Sequence, residues 1–190
     1  MNTYDFDKTI FYPDSSMTFV LWYMRRHPLA FLLWAPRMAV IVPLYLLKLI
    51  PKETLKEHIF SFVRRIDDID AVLRVYWDEH ESRIAPWYLA QHSRDDIVIS
   101  ASPEFVVKPM TDRLGIELIA SPMDKHTAKM HGKNCFGEEK VRRFYEAHPG
   151  AVTEAFYSDS LSDAPMAHIA QRAYLIVDKG QTPVPWPEEK

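Results

Sequence analysis

The sequence predicts an α/β fold in which a parallel sheet carries helices on both faces, with a block of helices inserted after the first strand. Three observations predict it. Short apolar runs at 96–100, 117–120, 154–158 and 173–177 alternate with helical patterns. The stretch from Ser15 to about His92 is patterned as helix throughout. Acidic and hydroxyl residues stand where several apolar runs stop, which is where ligands gather in parallel sheets, at the carboxyl ends of the strands.

Taken in order, Met1 to Tyr4 form a short first strand that puts Asp5 at its carboxyl end. Residues Ser15 to His92 read as four helices punctuated by Pro28, Pro36, Pro43, Pro51 and Pro86, with Asp67 and Asp68 marking a helix start. Asp96-Ile97-Val98-Ile99-Ser100 is a buried strand that places Ser100 at its tip. Ser102 then caps a helix with Pro103 at its first position, and Glu117 to Ala120 is the next strand. A helix from Gly137 to about His148, a strand at Glu154 to Ser158, a helix from Asp163 to Gln171 and a last strand at Ala173 to Val177 complete the pattern. Gln181 to Lys190, with three prolines, reads as a loose tail. The expected division is a catalytic core over 1–14 and 93–190 and a helical cap over 15–92.

Composition removes several function classes. Five glycines against 14 prolines argue against a glycine-rich phosphate loop. A net charge of -3, with Lys and Arg nearly balancing Asp and Glu, gives no electrostatic case for a nucleic-acid partner. The single cysteine, Cys135, excludes an intramolecular disulfide and a cysteine-cluster metal site, and it reads as a small packing residue. The eight histidines show no paired spacing for zinc. Acidic residues at positions 5 and 7 leave no room for a secretory signal, so a cytoplasmic enzyme is expected.

Four groups of residues carry chemistry. Asp5-Phe6-Asp7-Lys8-Thr9 sets two carboxylates two residues apart with a hydroxyl two further on; alone, it reads sooner as a charged turn after a strand than as a site. Ser100 ends the next core strand, Lys140 lies in Gly137-Glu138-Glu139-Lys140, and Ser158-Asp159-Ser160-Leu161-Ser162-Asp163 places two more carboxylates after a later strand. In this order the four groups resemble the motifs of the haloacid-dehalogenase superfamily of hydrolases, in the branch typified by phosphoserine phosphatase. Lys8 and Ser158 stand where many members carry glycine.

The resemblance implies a Rossmann-like three-layer core and a phosphomonoester substrate. Asp5 is then the nucleophile that forms an aspartyl phosphate, and Asp7 the acid and base partner. Thr9, Ser100 and Lys140 would bind phosphate oxygens. Asp5, Asp159 and the Asp7 main-chain carbonyl would hold Mg²⁺, a hard cation suited to oxygen ligands, and Asp163 would orient Lys140 or a metal-bound water. A phosphotransferase or mutase with the same intermediate, and a non-catalytic binder of phosphorylated ligands or membrane surfaces, are the alternatives.

Leu29 to Ile50 holds long apolar runs broken by Pro36, Arg37, Pro43 and Lys48. Its cleanest run, Met38 to Leu47, is half the length of about 20 residues that a spanning helix needs. Two readings stand level: a helix pair buried in the cap, or a surface making peripheral contact with the inner face of a membrane. The segment also resembles bacterial phosphatidylglycerophosphate phosphatases of the same branch, so the expected substrate is a small phosphorylated metabolite or a phosphorylated lipid headgroup.

Overall fold

The computed structural model describes residues 1–187. Strand β1 (Asn2–Tyr4) leads into five helices: α1 (Ser15–Arg26), α2 (Pro28–Leu46), α3 (Lys52–Ile59), α4 (Ile69–His80) and α5 (Pro86–Gln91). Then come β2 (Ile97–Pro103), α6 (Glu104–Leu114), β3 (Glu117–Ser121), α7 (Glu138–Ala147), β4 (Thr153–Ser158), α8 (Ala164–Ile169), β5 (Ala170–Val177) and β6 (Thr182–Pro185). The strands form one sheet in the order β3-β2-β1-β4-β5-β6, parallel except for the antiparallel edge strand β6.

Short as it is, β1 lies at the centre of the sheet. Thr3 and Tyr4 pair with Ile97 and Val98 on one side and with Phe156 and Tyr157 on the other. Tyr4, Tyr157 and Tyr174, in register across β1, β4 and β5, stack ring on ring at 4.8 and 4.9 Å. Such cross-strand aromatic pairs lock register and bury much apolar area.

Alternation along the strands divides the core between two faces. Val98 joins Tyr4, Phe6 and the helical side chains Phe19, Trp77, Tyr88 and Val106 in one large cluster. Ile97 and Ile99 point the other way, to Phe144 of α7, Met166 of α8 and Cys135. The inserted helices therefore share a continuous core with the sheet. Trp77 is the main link: it is fully buried, meets Phe6 and Phe11 edge-on, and donates its indole N–H to the Val106 carbonyl of α6 at 2.8 Å.

Several sequence expectations need correction. The insertion has five α-helices, not four, and Pro36 and Pro43 lie inside α2 without ending it. From Pro28 to Leu46 no Gly, Asn, Asp or Ser offers an alternative turn, and Leu, Ala and Met favour the helix strongly enough to carry the two prolines. Asp68, as expected, caps α4 by accepting from Ala71 N at 2.8 Å. Strand β2 runs on to Pro103, so Ser100 is not at its tip and Ser102 is not a helix cap. The loose tail is in part the edge strand β6, where Pro183 and Pro185 are tolerated because one side of an edge strand needs no N–H donors; 188–190 lie outside the described residues.

The shared core has a measurable consequence. Trp77→Ala should cost about 3–5 kcal/mol by cavity formation. It should lower the melting temperature by about 10 °C in one cooperative transition. Two separated transitions in calorimetry would show instead that helices and sheet unfold independently.

Candidate active site

Asp5 follows directly on β1 and is tied to the next strand by its N–H, which donates to the Tyr157 carbonyl at 2.8 Å. Beyond it the chain winds tightly: the N–H groups of Thr9, Ile10 and Phe11 all point at the Phe6 carbonyl, at 3.3, 3.1 and 3.0 Å. The Phe6 ring is fully buried and stacked on Phe11, while its neighbours Asp5 and Asp7 line a cleft of about 340 Å³. Lys8 has a φ of 58°, in the left-handed region that glycine enters freely and other residues enter at a cost of about 1–2 kcal/mol. That backbone requirement explains why glycine suits this position.

The Asp7 carboxylate rests on the start of α1. It accepts from Ser15 N at 2.6 Å and, through its other oxygen, from the Ser102 hydroxyl in a very short bond. Ser102 in turn meets the Ser16 hydroxyl at 2.7 Å. Burial raises the Asp7 carboxyl to about 6, with Asp14 adding to the rise and the Ser102 and Ser15 bonds opposing it.

Asp5 is bound to Lys140, whose ammonium sits 2.6 Å from it and 2.7 Å from Asp163, all three side chains being almost completely enclosed. Burial pushes Lys140 toward its neutral form, but Asp5 and Asp163 outweigh that effect and keep its pKa above the ordinary value. Asp5 is pushed well above the ordinary carboxylate range by burial; Lys140 opposes the shift, and Asp163 and Asp7 reinforce it. Asp163 also accepts from the Ser158 hydroxyl at 2.7 Å, and the same hydroxyl accepts from Ser160 N at 3.1 Å. Serine in the usual glycine place thus knits the loop after β4.

Asp5, Asp7, Lys140, Asp159 and Asp163 all line one cleft, as the motif order anticipates. Thr9 and Ser100 are not among its lining residues. Thr9 is fully buried and accepts from Asp159 N at 3.0 Å, which ties the two acidic loops together. Ser100 is buried and accepts from Ser102 N at 3.0 Å. Of the two serines on β2, it is Ser102 that lines the cleft. Residues two apart on a strand share a face, and because β2 runs on to Pro103, Ser102 lies one pleat nearer the carboxyl edge. Sequence reasoning also missed Ser16 of α1, Lys52 and Lys56 of α3, and Phe136.

Among the described residues, no three His, Cys, Asp or Glu side chains are grouped to hold a metal ion. A hard cation of the Mg²⁺ type needs fewer, since it keeps waters and takes only one or two carboxylates with substrate oxygens. The donor chemistry suits such an ion: the carboxylates of Asp5, Asp7, Asp159 and Asp163 line the cleft, and burial raises the pKa of Asp159 too. Lys140 is shared between Asp5 and Asp163, and Lys8 lies near Asp159.

Solved structures share the fold. A Bordetella pertussis Tohama I protein of unknown function aligns with a TM-score of 0.74 at 19% identity, covering 91% of this chain and 87% of that one. A phosphoserine phosphohydrolase-like protein of Francisella tularensis subsp. tularensis SCHU S4 aligns at 0.54 and 12% identity, over 93% and 88% of the two chains. A HAD family hydrolase of Salmonella enterica serovar Typhi aligns at 0.63 and 12%, over 88% of this chain and 59% of its own. Among curated proteins, no sequence matches this chain. The family model for haloacid dehalogenase-like hydrolases matches residues 3–168, a span that takes in all four motifs, and the chain belongs to that family.

Proposed function

We propose that this hydrolase is a phosphatase that cleaves phosphomonoesters through an aspartyl phosphate on Asp5, with Mg²⁺ as cofactor. The observation that carries this is the convergence of Asp5, Asp7, Lys140, Asp159 and Asp163 in one cleft at the carboxyl edge of the central strands. Mg²⁺ would be held by Asp5, Asp159 and the Asp7 main-chain carbonyl, and it supplies the charge that lets a carboxylate approach a phosphate.

The residues divide the work. An Asp5 oxygen attacks phosphorus and the bond to the leaving oxygen breaks, while the Asp7 carboxyl gives that oxygen its proton. A pKa near 6 keeps a usable fraction of Asp7 protonated close to neutrality. As carboxylate, Asp7 then takes a proton from water, whose oxygen attacks phosphorus and returns Asp5 free. Ser102 and Ser15 N hold Asp7 for both steps. Lys140, fixed by Asp163, sets a positive charge beside the attacking oxygen.

We further propose a cytoplasmic enzyme docked on the inner face of a membrane, acting on a phosphorylated lipid headgroup. Helices α1 to α5 act as its cap, with α1 and α3 lending side chains to the cleft. Helix α2 supports the docking: it is long and apolar enough to cross a membrane by length and composition, and Met38 is its one buried residue. Leu32, Leu33 and Val40 are each about 60% exposed, which argues against the buried helix pair. Ala30, Trp34 and Met38, spaced by four, face the protein, and the Trp34 indole donates to the Ile59 carbonyl at 2.8 Å. A helix pinned along one side fits an in-plane position in the headgroup region, where Arg25, Arg37 and Lys48 would meet lipid phosphates.

Asp5→Asn should abolish hydrolysis of an aryl phosphate while the protein stays folded; retained turnover refutes the nucleophile. A second expectation follows from acidity. Asp5 and Asp7 have folded pKa values above the unfolded value of about 4. The metal-free fold therefore holds more protons than the unfolded chain and loses stability as pH rises from about 4 through the Asp7 value of about 6 and beyond. In chelator, melting temperature should fall between about pH 5 and pH 8, and added Mg²⁺ should restore most at the higher pH, because deprotonated carboxylates are the ligands. A flat profile in chelator contradicts this. For the membrane, Leu32→Glu with Val40→Glu should end flotation with anionic liposomes while aryl phosphate hydrolysis stays within about twofold. Unchanged flotation of the double variant would remove α2 as the contact.

A further inference from the structure

The cleft has a second source of positive charge, which the four motifs do not supply. Lys52 and Lys56, one helical turn apart on α3, both line it. Lys56 donates to two neutral acceptors, the Ala101 carbonyl of β2 and the Asn134 side-chain oxygen, each at 2.5 Å. An ammonium has three N–H groups, so one remains, with the full charge, for the cleft. Lys52 lies 4.4 Å above the centre of the Phe136 ring, another wall of the same cleft. Among the described residues neither lysine has a carboxylate within ion-pair distance, whereas Lys140 has two.

Placement says what these charges face. The reacting phosphate belongs beside Asp5, where Lys140 already stands at 2.6 Å. Lys56 is anchored instead beside Ala101 and Asn134, and no catalytic carboxylate bonds to it. Met17, Ile59, Phe60 and Phe136 add apolar surface to the cleft. Burial, with Lys52 nearby, lowers the Lys56 ammonium to about 8, although Asp7 and Asp14 act against the shift. Such a cation gains from any anion that arrives.

We propose that Lys52 and Lys56 select phosphomonoesters carrying a second anionic group, a phosphate, phosphodiester or carboxylate, beyond the ester that is cleaved. The proposal rests on the phosphatase reading of the same cleft. It makes the two lysines specificity residues for the leaving group, and it admits two sources, a free metabolite or a lipid headgroup.

The test is calorimetric binding to the Asp5→Asn protein in Mg²⁺, where turnover is blocked, with glycerol 3-phosphate and glycerol 1,3-bisphosphate as probes. The bisphosphate should bind about tenfold tighter, the order expected of one charge-assisted contact. Lys52→Gln and Lys56→Gln should each shrink that gap, and together remove it, while glycerol 3-phosphate binding changes less than about threefold. Lys52 is exposed, so its variant keeps the test valid if Lys56→Gln fails to fold. A second pair, short-chain phosphatidic acid and the analogous lipid with a phosphomonoester beyond a phosphodiester, is run in detergent. A larger gap for the lipid pair assigns the second anion to a headgroup, and a larger gap for the glycerol pair assigns it to a metabolite. No gap in either pair, or equal losses for all ligands in the lysine variants, overturns the proposal. Aryl phosphate hydrolysis by the unmutated chain is measured alongside: its absence sinks the phosphatase reading, and the binding gap still decides the lysines.

Discussion

The catalytic edge depends on one buried cation. Lys140 stands between Asp5, which ends the central strand, and Asp163, which closes the loop after β4. Removing one member of such a buried set leaves a charge without a partner, at a cost of about 3–5 kcal/mol. The same cation fixes Asp5, the nucleophile we propose, in space, so the order of the site and its proposed chemistry rest on a single side chain. Ser158 and Thr9 extend the arrangement: one holds Asp163, the other accepts from Asp159 N and so ties the loops after β1 and β4 together.

The local backbone around Asp5 and Asp7 follows from packing. Phe6 buries its ring between them, and its carbonyl gathers three successive N–H groups, so the two carboxylates face the cleft. The left-handed turn at Lys8 completes the bend. Because Phe6 and Phe11 press on Trp77 of α4, the helical insertion is joined to the acidic loop through the core itself. An insertion that shares its core with the sheet supplies fixed side chains to the cleft, Ser16, Lys52 and Lys56 among them.

Helix α2 and the cleft are neighbours in the chain. The apolar helix ends at Leu46, and the lysines of α3 begin six residues later. A surface that meets lipid through α2 would therefore have basic residues and the cleft following closely. The observed exposure of α2 is unusual for a soluble domain, in which contiguous apolar patches of this kind mark an interaction site.

The sequence by itself determined the fold class, the alternation of strands and helices from β2 to β5, and the acidic and basic groups that line the cleft. Those features are local: apolar runs of strand length, proline and acidic caps at helix starts such as Asp68, and carboxylates where strands stop. Tertiary structure alone decided the rest. Whether Ser100 or Ser102 would face the cleft depended on how far β2 continues along β3, where the register shifts. That Lys56 enters the cleft depended on Ala101 and Asn134, 45 and 78 residues away. Long-range contacts of this kind leave no period in the sequence, because the chain carries the residues while only the folded packing brings them together.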